Sequence, residues 1–153
     1  MKQPDFSQFP ILSTQRFTLR PLSLEDTDYI KKIDGMISRK ECILWGISYQ
    51  NSKEMVGAIC LWNFNTPNET VEIGYELLAE FHGKGVMSEV VPSVVEYGFR
   101  VMAAKSIIAF PSAENLASVK LLEKMGFNLT SDNYGHTHTE VAAMLTYILS
   151  SGF

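Results

Sequence analysis

The sequence predicts a single mixed α/β domain, an α+β sheet with helices packed on it, and three observations predict it. The stretch "TVEIGYEL" (Thr70–Leu77) alternates, with Val71, Ile73, Tyr75 and Leu77 on one face and Glu72, Gly74 and Glu76 on the other. That period of two marks a half-buried strand. From Met87 the apolar residues fall at Val90, Val91, Val94, Gly98, Val101 and Met102, which is helical spacing. Strand-like and helix-like segments then succeed one another along all 153 residues without a linker, a repeat or a break in composition, so one domain over 1–153 is expected.

The elements follow in order. Arg16–Leu22 ("RFTLRPL") alternates until Pro21 and reads as a first strand. "SLEDTDYIKKI" has Ser23 as N-cap, acids in its first turn and lysines later, the charge order of a short helix. "CILWGISY" and "EMVGAICLW" are β-rich runs joined around "QNSK", a hairpin, and Thr70–Leu77 continues the meander. In the helix from Met87, Pro92 has no N–H for the Ser88 carbonyl and is predicted to interrupt and kink it there. "SIIAF" reads as a short buried strand, and Asn115–Phe127 as a helix closed by Gly126. "EVAAMLTYIL" reads as a last strand or strand pair, with helix the competing reading.

Composition excludes several classes. With 46% hydrophobic and 20% charged residues the chain can bury a core and is no disordered tail. A net charge of −4 leaves no basic face for a nucleic acid. No run approaches the roughly 18 apolar residues of a membrane span, so no membrane partner is expected. "MKQPDFSQFP" lacks the apolar core of a secretory signal, so the expected location is cytoplasmic, with Cys42 and Cys60 as reduced thiols. A Cys42–Cys60 bridge between neighbouring strands is the alternative. "GHTHTE" would put His136, His138 and Glu140 on one strand face, but three ligands in one short run make a poor closed site. An exposed edge, and no metal, is the expectation.

The segment with the most chemistry is "EFHGKGVMSEVV" (Glu80–Val91), two glycines around a lysine at the mouth of a helix. Gly83 and Gly85 let a ligand approach the main chain, and a helix N-terminus offers unpaired N–H groups and partial positive charge to an anion, phosphate above all. A plain strand-to-helix turn is the alternative. A nucleotide-binding P-loop is not supported, because Val86 follows "GKG" where Ser or Thr would hold magnesium.

"HGKGVM" (His82–Met87) after an alternating strand resembles the acyl-CoA pyrophosphate loop of the GNAT acetyltransferases, Gln/Arg-x-x-Gly-x-Gly/Ala, with His82 and Met87 departing from it. "NLASVKLLEKMGF" (Asn115–Phe127) resembles the later helix of that superfamily, and "RFTLRPLSLEDTDYI" with "VEIGYEL" resembles its branch that acetylates ribosomal-protein N-termini. The resemblance implies a central, mostly antiparallel sheet with helices on both faces. It implies acetyl-CoA as co-substrate, an amine as acceptor and no metal. Cofactor contacts are implied for Ile73, Tyr75, His82, Gly83, Lys84, Gly85, Val86, Met87, Ser88, Asn115 and Ser118. For Lys84 a solvated side chain is the competing reading, and for Asn115 the N-cap role stands beside pantetheine contact.

Transfer from a thioester to an amine needs a deprotonated amine, a stabilised oxyanion and a protonated thiol. Ser118 is the hydroxyl that the resemblance puts forward to protonate the thiolate; a surface serine is the plain alternative. Glu72 is the candidate base through a water, Glu76 the second, and a solvated sheet face competes for both. Between Asn63 and Gly83 stand Glu69, Glu72, Glu76 and Glu80 and no lysine or arginine, a bias toward cationic amines if they line the acceptor side. The family carries a longer helical insertion before the meander, where this chain has only Leu22–Glu41. A homodimer covering Ile30–Cys42 would supply the missing wall, with Trp45 and Trp62 among the apolar residues left to cover. A non-catalytic acyl-CoA-binding module with a degraded acceptor site is the second functional reading.

Overall fold

Alternating apolar residues in successive runs build a meander before any helix is needed. The computed structural model describes residues 10–22, 26, 42–131 and 144–152. Its strands are β1 (Leu12–Ser13), β2 (Phe17–Arg20), β3 (Cys42–Tyr49), β4 (Met55–Asn65), β5 (Thr70–Leu77), β6 (Ser106–Ala109), β7 (Asn128–Leu129) and β8 (Tyr147–Ser150). They form an eight-stranded sheet in the order β1-β2-β3-β4-β5-β6-β8-β7. Every neighbouring pair is antiparallel except β5 and β6. The class is therefore mixed α/β with a mostly antiparallel sheet. The helix expected from Ser23 lies outside the described residues, apart from Asp26, which takes a two-pronged contact from Arg20 at 3.1 Å per bond.

Among the described residues two α-helices pack on the sheet, α1 (Val86–Arg100) and α2 (Leu116–Lys124). Val90, Val91 and Val94 of α1 and Leu122 of α2 join Ile43, Trp45, Ile47, Ile59, Leu61, Val71 and Ile73 in one buried cluster. Trp45 is fully buried, edge-on to Tyr97 at 5.4 Å, and donates its indole N–H to the Pro10 carbonyl at 2.9 Å. This corrects the expectation that Trp45 lacks cover; Trp62 is half-buried.

Two further expectations change. Helix α1 runs through Pro92 instead of stopping there. The lost bond is one among many, and the valines on either side anchor both halves to the sheet. The Pro92 ring lies exposed. The closing pair of strands is β7 with β8; of "EVAAMLTYIL" only Met144 onward is described, and it contributes a bridge at Met144 and the start of β8. The histidines of "GHTHTE" lie outside the described residues. Helix α2 ends as predicted around Gly126 (φ 95°), where the Phe127 N–H reaches the Leu122 carbonyl at 3.0 Å and the Gly126 N–H reaches Glu123 at 3.1 Å. This pattern satisfies carbonyls that the helix end would leave unpaired.

The β5–β6 pairing positions the site. It has three rungs, Thr70–Ser106, Val71–Ile107 and Glu72–Ile108, and β5 then continues to Leu77 with β6 no longer beside it. The sheet opens at Glu72.

Candidate active site

The opening leads into a cleft of about 370 Å³ between the free half of β5, the mouth of α1 and the first turn of α2. Tyr75, His82, Gly83, Gly85, Val86, Met87, Ser88, Asn115 and Ser118 line it, each a residue the sequence put forward for cofactor contact. Gly83 and Gly85 are both left-handed (φ 76° and 72°), so the turn into α1 requires the freedom of glycine. Gly85 is the N-cap of α1 and has no side chain to fold back over the first-turn N–H groups. Their partial positive charge therefore stays available at the cleft.

Two of the named residues sit elsewhere. The Ile73 side chain is buried in the core, leaving only its main chain for a ligand. The Lys84 ammonium lies over the Phe81 ring at 5.6 Å, so it stacks on the preceding turn rather than lining the cleft. His82 uses Nε2 to meet the Leu77 carbonyl at 3.0 Å, which ties the glycine turn to the end of β5.

On the opposite wall, the Asn115 carboxamide oxygen accepts from the Ser118 N–H at 3.1 Å, an N-cap bond for α2. The Ser118 hydroxyl is 2.6 Å from the Tyr75 hydroxyl. Burial pushes the Tyr75 phenol above its ordinary value while the Ser118 contact pulls it down, and the net shift is upward. Tyr75 is thus a neutral hydroxyl at physiological pH. The sequence showed the two residues separately; their pairing spans 43 positions and leaves no local signal.

Glu72 stands at the last rung of the β5–β6 pairing but on the other face. It is buried, 6% exposed, so the competing reading of a solvated sheet face does not apply to it. A recess of about 40 Å³ surrounds it, lined also by Asn63, Asn65, Thr70, Val71, Ile108 and Phe110, with room for a water. The register of β4 against β5 shifts between Trp62 and Asn65, and Asn63 (φ 53°) turns there to bring Nδ2 to 3.4 Å from a Glu72 oxygen. Glu76 is half-buried and borders the cleft.

The four acids of this region do not form one surface. Glu69 is bound to Lys105 at 2.7 Å, which holds its carboxyl below its ordinary value; Glu80 is exposed in a short turn. Cys42 and Cys60 are free thiols. Burial, then Cys42, with Glu72 and Glu76 adding, pushes the Cys60 thiol up to about 12 against a backbone contact from Gly74. Cys60 therefore offers no thiolate for a covalent acyl intermediate. The acceptor-side stretch Leu22–Glu41 and the surface Ile30–Cys42 expected for a homodimer lie almost wholly outside the described residues.

A sheet opened at one rung beside a glycine-turned helix mouth is the arrangement that the sequence motifs imply. The chain matches the acetyltransferase (GNAT) domain family over residues 3–128, and it belongs to that family. It is an acetyltransferase. Among its relatives, the uncharacterized N-acetyltransferase YoaA of Bacillus subtilis (strain 168) is 33% identical, the match covering 78% of this chain and 83% of YoaA. YdaF of the same strain, provisionally named a ribosomal N-acetyltransferase, is 29% identical over a match covering 54% of this chain and 44% of YdaF. The fold is shared with an acetyltransferase from Agrobacterium tumefaciens str. C58 at a TM-score of 0.75 and 18% identity, covering 99% of this chain and 100% of that one.

Proposed function

We propose that the chain transfers acetyl from acetyl-CoA to a primary amine, either a cationic small amine or a protein N-terminus. The observation that carries this reading is the parting of β5 and β6 at Glu72, with the anion-binding helix mouth and two hydroxyls on one side and a buried carboxylate on the other. The diphosphate of the cofactor would lie on the N–H groups of the Gly83–Ser88 turn, and its thioester would reach the gap beside Ser118. The provisional ribosomal name of YdaF supports the protein N-terminus as acceptor.

In this reading Glu72, through a water in its recess, takes a proton from the ammonium form of the acceptor, and the free amine attacks the thioester carbonyl. Main-chain N–H groups on the free half of β5 stabilise the oxyanion. As the C–S bond breaks, the Ser118 hydroxyl gives its proton to the departing thiolate. Tyr75, 2.6 Å away and protonated, donates to the Ser118 oxygen as negative charge develops there. The nitrogen of the adduct gives its surplus proton to solvent as the adduct collapses. The products are the amide and the free thiol of CoA, and exchange with solvent reprotonates Ser118 and deprotonates Glu72. Glu72 gives the acceptor side a negative field, favouring a cationic amine.

The test is thermal stability with acetyl-CoA and with ATP, followed by thiol release over a panel of small amines and peptide N-termini. Stabilisation by acetyl-CoA with amine-dependent thiol release is the expected result. Stabilisation by ATP alone removes the cofactor reading. Binding of acetyl-CoA without thiol release for any amine leaves a non-catalytic acyl-CoA-binding module.

A further inference from the structure

The glycine turn is held from behind by a side chain 68 positions away. Arg16 Nη1 donates to the Lys84 carbonyl at 3.1 Å and Nη2 to the Gly85 carbonyl at 3.3 Å. The guanidinium is itself fixed: Nε donates to Glu89 Oε1 at 2.7 Å, and the Arg16 main-chain N–H donates to Glu89 Oε2, also at 2.7 Å. Thr14 donates its hydroxyl to the same Oε2 at 2.5 Å and accepts the Phe17 N–H at 3.1 Å. Glu89 sits in the first turn of α1, so the clamp joins the turn before β2 to both the glycine loop and the helix it precedes.

We propose that Arg16 is a positioning residue for the diphosphate of the cofactor, acting by aiming the main chain of the Gly83–Gly85 turn. The proposal rests on the acetyl-CoA reading. In a planar trans peptide the C=O of one residue and the N–H of the next point in opposite directions. Drawing the Lys84 and Gly85 carbonyls onto one guanidinium therefore turns the N–H groups of Gly85 and Val86 away from Arg16. Those two residues line the cleft and Arg16 does not, so the N–H pair faces the ligand. Two left-handed glycines leave this turn many alternative conformations, and the planar fork of one arginine selects among them. Glu89 would otherwise put bare negative charge beneath an anion site; its ion pair with Arg16 offsets that charge.

Selectivity for the diphosphate is what a purely structural arginine would not confer. The experiment compares wild type, Arg16→Gln, Arg16→Lys and Glu89→Gln for binding of CoA and for turnover of acetyl-CoA against S-acetyl-pantetheine, which lacks the diphosphate. For Arg16→Gln, CoA binding is expected to weaken by about tenfold or more, with the loss in KM for acetyl-CoA and kcat held within about threefold. S-acetyl-pantetheine should be used as well as by wild type. Arg16→Lys keeps the charge without the fork and should recover little, and Glu89→Gln, which frees one side of the fork, should show a smaller loss of the same selectivity. If Arg16→Gln folds poorly, the Glu89→Gln comparison carries the test. Unchanged CoA affinity in these variants, or equal losses on both substrates, overturns the clamp. A wild-type protein that binds neither CoA nor S-acetyl-pantetheine overturns the cofactor reading along with it.

Discussion

The two glycines of the turn should respond differently to alanine, and the difference separates backbone strain from ligand contact. Both have φ near 75°, so either alanine carries the left-handed penalty of about 1–2 kcal/mol. A Cβ on Gly85 would meet Arg16 Nη2 at 3.6 Å, an ordinary contact, and a Cβ on Gly83 would meet nothing within 4 Å. Neither substitution adds a clash. At an unfolding entropy of about 2.1 cal/mol/K per residue, a chain of this length loses roughly 3–6 °C in Tm for that strain. Acetyl-CoA at a hundredfold excess over Kd should add about 2.7 kcal/mol, or roughly 8 °C, to wild type. The Gly83 methyl would occupy open space at the cleft, whereas the Gly85 methyl faces the clamp. Gly83→Ala is therefore expected to lose more than half of the ligand-induced shift and Gly85→Ala to keep most of it. Differential scanning fluorimetry with and without acetyl-CoA reads both quantities. A full shift in Gly83→Ala with none in Gly85→Ala would mean the ligand lies on the other side of the turn. Unchanged Tm values without ligand would refute the strain itself.

Ser118→Ala should lower kcat by roughly 100-fold with little change in CoA affinity, and Tyr75→Phe by less. Because Tyr75 acts through Ser118, the double variant should be no slower than Ser118→Ala; multiplied losses in steady-state kinetics would separate their roles. Glu72→Gln preserves shape and removes the base, so turnover should fall roughly 100-fold while CoA binding, on the opposite face, is retained; turnover close to wild type would move the base elsewhere. Burial pushes the Glu89 carboxyl up, but Thr14 and Arg16 outweigh it and hold it below 4.5. Its folded value being depressed, the stability it contributes is complete above pH 4.5 and is lost as pH falls through the folded value. The stability gap between wild type and Glu89→Gln should accordingly be constant above that pH and close below it in denaturant titrations.

Legibility in the sequence follows interaction range. Thr70–Leu77 was readable because one apolar face repeats every second residue, and α2 because Asn115 and Gly126 mark its ends within thirteen residues. The Gly83–Gly85 turn announced itself by composition alone. The two-residue strands β1 and β7 could not, since such short pairs take their conformation from the neighbour they border. Pro92 misled because a local rule was applied where tertiary packing decides the outcome. The Tyr75–Ser118 pair, the Arg16 clamp and the burial of Glu72 are long-range facts, created when β5 meets α2, when the β1–β2 turn meets α1, and when Asn63 turns out of β4.

The strand order also dictates when the sheet can be finished. From β1 to β5 each strand pairs with the next one in the chain, so this half can assemble as hairpins while later residues are still being synthesised. The other half cannot, because β8, the last strand, lies between β6 and β7. Until Tyr147–Ser150 arrives, β6 has an open edge and β7 has no neighbour to pair with. Asn128–Leu129 is thus hung on a strand made about twenty residues after it, and a ribosome stalled before Tyr147 would hold a chain whose first blade is formed and whose second is two loose edges.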